Sequence, residues 1–157
     1  MAEAVRRGGA WIACHPGCCE CCIGPFSISE NDSARLRAGL AQASPEVASR
    51  IRARAADYVA AITGFDSEGV PEGLDEAACP ALDPETGRCD LYTFRPITCR
   101  TFGPAVKTLG GSIAACELCF NGASEAEILA SAVEISREAL ELDAPHLTTV
   151  AQALLEA

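Results

Sequence analysis

Aromatic side chains make up only 5% of this 157-residue chain: one Trp, two Tyr and five Phe. Ala, Val, Leu and Ile must therefore fill the core. Small side chains bury little area each, at roughly 25 cal/mol per Å², so a cross-link or a metal matters more here than in an aromatic-rich domain. Histidine is almost as scarce, with two residues, which leaves little footing for a His-based catalytic triad. Cationic charge is also short. Twelve Lys and Arg stand against 22 Asp and Glu, a formal net charge of −10, and such a surface repels phosphate backbones, so nucleic acid is not an expected partner. The run Arg50, Arg52, Arg54 reads as a solvated helix face. There is no apolar stretch of membrane-spanning length, and residues 1–13 contain no hydrophobic region of the secretory kind. The expectation is a cytoplasmic protein in a reducing compartment, away from membranes. Also missing are a glycine-rich phosphate loop, a nucleophile elbow and the setting for a glycosidase carboxylate pair.

Cysteine is what the chain has in excess. There are ten, and five of them fall within the nine residues Cys14-His15-Pro16-Gly17-Cys18-Cys19-Glu20-Cys21-Cys22. Thiols are small and pack weakly, and clustered thiolates repel one another unless a cation takes their charge. Three spacings stand out: Cys14-x3-Cys18-x2-Cys21-Cys22; the series Cys79, Cys89, Cys99; and Cys116-x2-Cys119. A Cys-x2-Cys loop lets two sulfurs meet one tetrahedral ion with little closure entropy. Adjacent residues such as Cys21 and Cys22 rarely bridge each other, and their side chains are expected to point apart, toward different sites. A secreted disulfide scaffold is the alternative use of ten cysteines. His15 reads as a loop histidine that is also a candidate ligand, and His146 as a surface residue. Arg95 and Arg100 bracket Cys99 and read as cationic neighbours of thiolates.

Around these cysteines the pattern is helical. Residues 1–13 look irregular. Ser29 is a helix cap with Asp32 three residues on, and Leu36 and Leu40 supply a buried face. Ser44-Pro45 opens a second helix, in which Val47, Ile51, Ala55, Tyr58, Val59 and Ile62 recur at helical spacing before Gly64. Residues 65–78 read as a polar connector, and Cys79 to Phe102 as irregular, with a turn at Asp83–Gly87. Val106 to Ile113 reads as a small hairpin around Gly110-Gly111. Ser124 and Glu127 form a capping box for a helix lined by Ile128, Ala132, Ile135, Ala139 and Leu142, and Pro145 opens a last helix. The expected fold class is mainly α: one small helical domain over residues 1–157, with irregular cysteine-rich metal-binding loops, one short hairpin and C-terminal helices over 124–156.

The run Cys14-x3-Cys18-x2-Cys21-Cys22, followed by Ile23 to Ser29, resembles the YkgJ-like or CxxCxxCC family of bacterial cysteine-cluster proteins. Cys79-Pro80-Ala81-Leu82-Asp83 with Gly87-Arg88-Cys89 is similar to that family's second block, and Arg95-Pro96-Ile97-Thr98-Cys99-Arg100-Thr101-Phe102 to its third. Cys119 resembles its last cysteine. The likeness runs from about residue 14 to residue 120. It implies a domain chelating zinc or iron, with members also known as Fe–S-cluster-containing proteins. Carried over position by position, it implies the ligands Cys14, Cys18, Cys21, Cys22, Cys79, Cys89, Cys99 and Cys119, leaving Cys19 and Cys116 as additions. Eight sulfurs suit two four-sulfur sites, or one cluster and four thiols with another role. Zinc and an iron–sulfur cluster, 4Fe–4S if iron, both accept four thiolates. A metal-binding module, with a protein partner not identified by sequence, is the first functional reading. An Fe–S redox or SAM-linked enzyme module is the second: a related cysteine module occurs in flagellin lysine methylases, and Cys14-x3-Cys18-x2-Cys21 has radical-SAM spacing. The chain lacks the alternating strands and helices of the barrel that goes with that spacing.

Overall fold

A computed structural model describes residues 2–25, 27–63, 76–108, 110–136 and 147–156. Its helices are α1 (Ala2–Gly8), α2 (Glu30–Gln42), α3 (Pro45–Thr63), α4 (Ile97–Thr101), α5 (Glu125–Ser131) and α6 (Val150–Leu155). Its strands are β1 (Ser27–Ser29), β2 (Leu82–Asp83), β3 (Arg88–Cys89), β4 (Val106–Lys107), β5 (Ile113–Ala114), β6 (Val133–Glu134) and β7 (Leu147–Thr149). The strands form pairs β1–β7 and β2–β3 and a three-stranded sheet in the order β5-β4-β6.

The long helices begin where their caps place them. The Asp32 N–H donates to Ser29 Oγ at 3.1 Å at the start of α2, and the Val47 N–H to Ser44 Oγ at 3.3 Å at the start of α3. Leu36 and Leu40 on α2, and Ile51 and Ala55 on α3, are buried, with Val47, Tyr58 and Val59 packed at their edge. Helix α6 packs against both. It is capped by Thr149, whose hydroxyl accepts the Gln152 N–H while the Gln152 side chain returns to the Thr149 N–H, and it inserts Ala151, Ala153 and Leu154 between the longer helices. Strand β7, just ahead of it, lies antiparallel to β1 with Thr148 opposite Ile28. A second, smaller core gathers Ala105, Cys116, Cys119, Phe120 and Ala132, flanked by Trp11, Ile12, Ile113 and Ile128.

Several expectations need correction. The fold is mixed α/β rather than plainly mainly α, because short strands pair at three places. Residues 1–13 are not irregular: α1 forms there, with Glu3 paired to Arg6 and Arg7 one turn on. The cysteines are not confined to irregular loops, since Cys89 lies on β3 and Cys99 within α4. The helix after Ser124 has its capping box but stops at Ser131. Its continuation leaves the helical path because the Val133 N–H donates to Ala105 O at 3.1 Å and Val133–Glu134 adds a parallel strand to β4. Ala132 is buried, but beyond the helix end rather than on its face. The last helix starts at Val150, and Leu147 belongs to β7. Arg54 is not part of a solvated face: its Nε–H donates to Pro80 O and its Nη2 to Asp90 Oδ2, both at 2.7 Å, tying α3 to residues just after Cys79 and just after Cys89. The expected hairpin is present as β4–β5, with Val106 opposite Ala114. Gly64, Ala139, Leu142, Pro145 and His146 lie outside the described residues, as does most of the 65–78 connector.

Candidate metal centre

Turn chemistry and short backbone pairings bring the cysteine segments together. Pro16 and Gly17 occupy the centre of a turn closed by the Cys18 N–H donating to His15 O at 3.0 Å. Gly17 has φ +94°, the conformation a type II turn demands at that place. A 3-10 turn over Glu20–Cys22 follows. The chain then pairs with the segment ahead of β2. The Gly24 N–H donates to Ala77 O at 2.9 Å, the Cys79 N–H to Cys22 O at 2.6 Å, and Ile23 bridges Ala78 antiparallel. Cys22 and Cys79 are thereby set side by side. Cys89 follows on β3, opposite Leu82. The β2–β3 turn is closed by Asp83, whose carboxylate accepts the Thr86 hydroxyl at 2.6 Å and the Glu85 N–H at 3.2 Å. Gly87 in that turn sits against the first cysteine loop, where a Cβ would stand 3.0 Å from Gly17 O.

Cys99 arrives on α4, with Sγ 3.9 Å from Cys21 O. The final pair comes from a turn in which the Cys119 N–H donates to Cys116 O at 2.9 Å. Gly103 fastens this turn to the first loop: its carbonyl accepts the Cys116 N–H at 3.1 Å, and its Cα lies so near Cys14 that a Cβ would stand 2.7 Å from Sγ.

The thiols fall into two nests. In the first, the Cys14 thiol hydrogen-bonds that of Cys119 and senses Cys18 and Cys116. In the second, Cys21 and Cys22 hydrogen-bond each other and face Cys79 and Cys89, and Cys99 senses Cys79, Cys21 and Cys89. Burial pushes the thiols up, because a thiolate loses more than a thiol on leaving water. Cys79 rises to about 11 and Cys99 to about 12; Cys14, though exposed to solvent, rises to about 11 through partial desolvation and the neighbouring Cys119 thiol. Burial also raises Cys89 and Cys116. Cys21 is held below the ordinary thiol range by the hydrogen bond from Cys22 and then by the Arg95 guanidinium. Cys22 is held above it by the same partnership. Arg95 stacks 3.8 Å over the Tyr92 ring, and its Nε–H donates to Tyr92 O at 3.2 Å.

Both nests open on one cavity of about 570 Å³. Seven of the ten cysteines line it, namely Cys14, Cys18, Cys21, Cys22, Cys89, Cys99 and Cys116, together with His15, Tyr92 and Arg95. Among the described residues, Glu20 is the one carboxylate in the lining, and no three Cys, His, Asp or Glu side chains are grouped closely enough to hold an ion as they stand. The donor set nonetheless fits a thiophilic metal. It is nearly all sulfur, and it needs a cation before its buried members can ionise together.

All eight cysteines singled out from sequence are gathered here, three in the first nest and five in the second. Cys21 and Cys22, expected to point apart, instead have neighbouring thiols that interact within the second nest. Cys116, set aside as an addition, completes the first; its Cys-x2-Cys spacing with Cys119 was the available signal. Cys19 does not line the cavity. His15 does, and its Nδ1 lies 3.0 Å from Pro16 O. Arg95 faces the sulfurs as expected, whereas Arg100 is exposed on α4 away from the cavity.

A mixed α/β scaffold that collects nine thiols from separated segments defines a cysteine-cluster domain. Comparison with family models agrees. Residues 13–125 match the CxxCxxCC family, described as a "Putative zinc- or iron-chelating domain", and the chain belongs to that family. No curated protein and no solved structure matches it.

Proposed function

We propose that this chain is a metal-binding protein that holds a thiolate-ligated centre in each nest: Cys14, Cys18, Cys116 and Cys119 in one, and four of Cys21, Cys22, Cys79, Cys89 and Cys99 in the other. The observation that carries the reading is the shared cavity walled by seven cysteines. We take each centre as iron–sulfur, with 4Fe–4S as the four-thiolate form; a single zinc ion, with four sulfurs at about 2.3 Å from one point, is the alternative for the same donor set. Arg95 would offset part of the negative charge that such a centre adds to an already acidic chain.

Protein purified without oxygen should show visible absorption and contain iron with acid-labile sulfide. A colourless protein with about two zinc ions per chain would keep the thiolate reading and replace the metal. A chain that stays metal-free after anaerobic reconstitution with either metal, its thiols still titrating as free, would end the proposal. All ten cysteines are unbridged, so thiol counting before and after reduction also tests the disulfide alternative.

A further inference from the structure

The wall of the second nest rests on a buried carboxylate outside the cysteine segments. Asp32 is fully buried in the first turn of α2. Both its oxygens lie 3.0 Å from the backbone nitrogen of Ile97, 65 residues further along the chain. Ile97 is the first residue of α4, whose third residue is Cys99. Arg35, one turn along α2, is ion-paired to the same carboxylate. A second joint lies farther along α2. Gly39 is pressed against Phe94 so closely that a Cβ would stand 2.5 Å from Phe94 Cγ and 2.7 Å from Phe94 Cβ. Between these joints sits Arg95. The segment carrying Tyr92, Arg95 and Cys99 is therefore clamped at two points to a helix that faces the aliphatic core.

We infer that Asp32 is a positioning residue for the metal site: it fixes the start of α4 and so sets Cys99, with Arg95 alongside, at the cavity wall. The role rests on the metal-binding reading but is separable from it. Helix α4 spans only five residues, too few to hold its own shape without tertiary support. Its first N–H has no carbonyl within the helix to bond to, and a buried N–H left without an acceptor is costly. Without the Asp32 carboxylate, α4 loses both its anchor and its direction, and Cys99 loses its fixed place near Cys21.

The test begins with metal-free, reduced protein, so that it does not depend on metal binding. Alkylation of each cysteine by iodoacetamide is followed by peptide mass spectrometry. Asp32→Ala should speed modification of Cys99 by about tenfold, as local opening of α4 becomes cheaper, while Cys14, Cys18, Cys116 and Cys119 keep their rates. Asp32→Asn retains an acceptor oxygen and should stay within about threefold of the wild type. Gly39→Ala, acting at the other joint, should show the same selectivity for Cys99, and it keeps the inference testable if Asp32→Ala fails to fold. Leu154→Ala in the aliphatic core is the control for general destabilisation and should not single out Cys99. Reconstitution with iron and sulfide should then give Asp32→Ala and Gly39→Ala about half the wild-type metal. Uniform acceleration at every cysteine, an unchanged Cys99, or the same pattern in Leu154→Ala would overturn the inference. A wild type that takes up no metal, with Cys99 selectively exposed in the variants, would sink the proposed function and leave the positioning role standing.

Discussion

Gly103 stands directly behind the sulfur of Cys14, with room for a hydrogen and none for a methyl group: a Cβ would lie 2.7 Å from Sγ. The same residue has φ +111° and gives its carbonyl to the Cys116 N–H at 3.1 Å. One glycine thus backs the thiol of Cys14 and anchors the backbone of Cys116, from segments about a hundred residues apart in the chain.

Gly103→Ala should therefore do two things at once. Positive φ costs a residue with a Cβ about 1–2 kcal/mol, which urea denaturation of the metal-free protein will read. The methyl group also displaces the Cys14 sulfur, so the reconstituted variant should hold about half the wild-type metal. A variant of lowered stability but full metal content would mean that Cys14 is not a ligand.

The two cysteines that the family pattern leaves over should behave differently. Cys116 is buried beside Cys119 and faces the cavity; Cys19 does not line it. Cys116→Ser should lower metal content and melting temperature, whereas Cys19→Ser should stay within about 0.5 kcal/mol of the wild type. Membership of one nest also predicts coupling. The effects of Cys14→Ser and Cys116→Ser on metal-loaded stability should be non-additive by about 0.5–3 kcal/mol, and those of Cys116→Ser and Cys89→Ser close to additive. The reverse pattern of coupling would dissolve the partition.

Metal-free and metal-loaded protein should respond to pH in opposite directions. Folding raises the thiols of Cys14 and Cys79 from an ordinary 9.0 to about 11 and that of Cys99 to about 12. Between those values the unfolded chain has released protons that the folded chain keeps. This contribution to stability is full below pH 9 and is lost as pH rises through 11 to 12. Cys21 and Cys22 shift oppositely and offset each other in part. In the loaded protein the thiols are already ionised, and acid must reprotonate them to release metal, so its weak flank is the acid one. Melting temperatures of both forms, measured without oxygen from pH 5 to 11, test this. A metal-free protein equally stable at pH 8 and pH 11 would contradict it.

How far the fold could be read from sequence follows from how local each signal is. Ser29, Ser44-Pro45 and the Ile51 and Ala55 spacing mark α2 and α3 because cap and periodicity act within a few residues. The helix after Ser124 was overextended because Ala132 and Ile135 keep helical spacing, while the force that ends the helix, pairing of Val133 with Val106, comes from a distant strand. The site shows the same division. The family resemblance singles out eight cysteines, but which sulfurs lie near one another depends on the Cys22–Cys79 and Gly103–Cys116 backbone bonds, which join separate segments. Asp32 was legible as a residue in the first turn of a capped helix. Its reach to Ile97, 65 residues away, leaves no mark in local sequence.

Stripping the metal should loosen the two cores unequally. The core between α2, α3 and α6 contains Ile28, Leu36, Leu40, Ile51 and Leu154, aliphatic chains worth about 1.5–3 kcal/mol each when fully buried. Among the described residues, the second core has one large buried side chain, Phe120, and two of its five buried members are Cys116 and Cys119. Thiolate–metal bonds contribute about 10–16 kcal/mol in small zinc peptides, as much as the whole stability of many domains, so the second core should depend on ligation more than the first, against which Cys79 and Cys89 also pack. Chelation under reducing conditions should abolish hydrogen-exchange protection at the amides of Cys116, Cys119 and Phe120, which bond to Gly103, Cys116 and Trp11. Protection in the middle of α2 and α3 should persist, and most of the helical circular dichroism with it. Equal protection in both cores after verified metal removal would show that the second core holds itself together without a centre; loss of α3 before the Cys116–Phe120 turn would mean that the metal supports the helices instead.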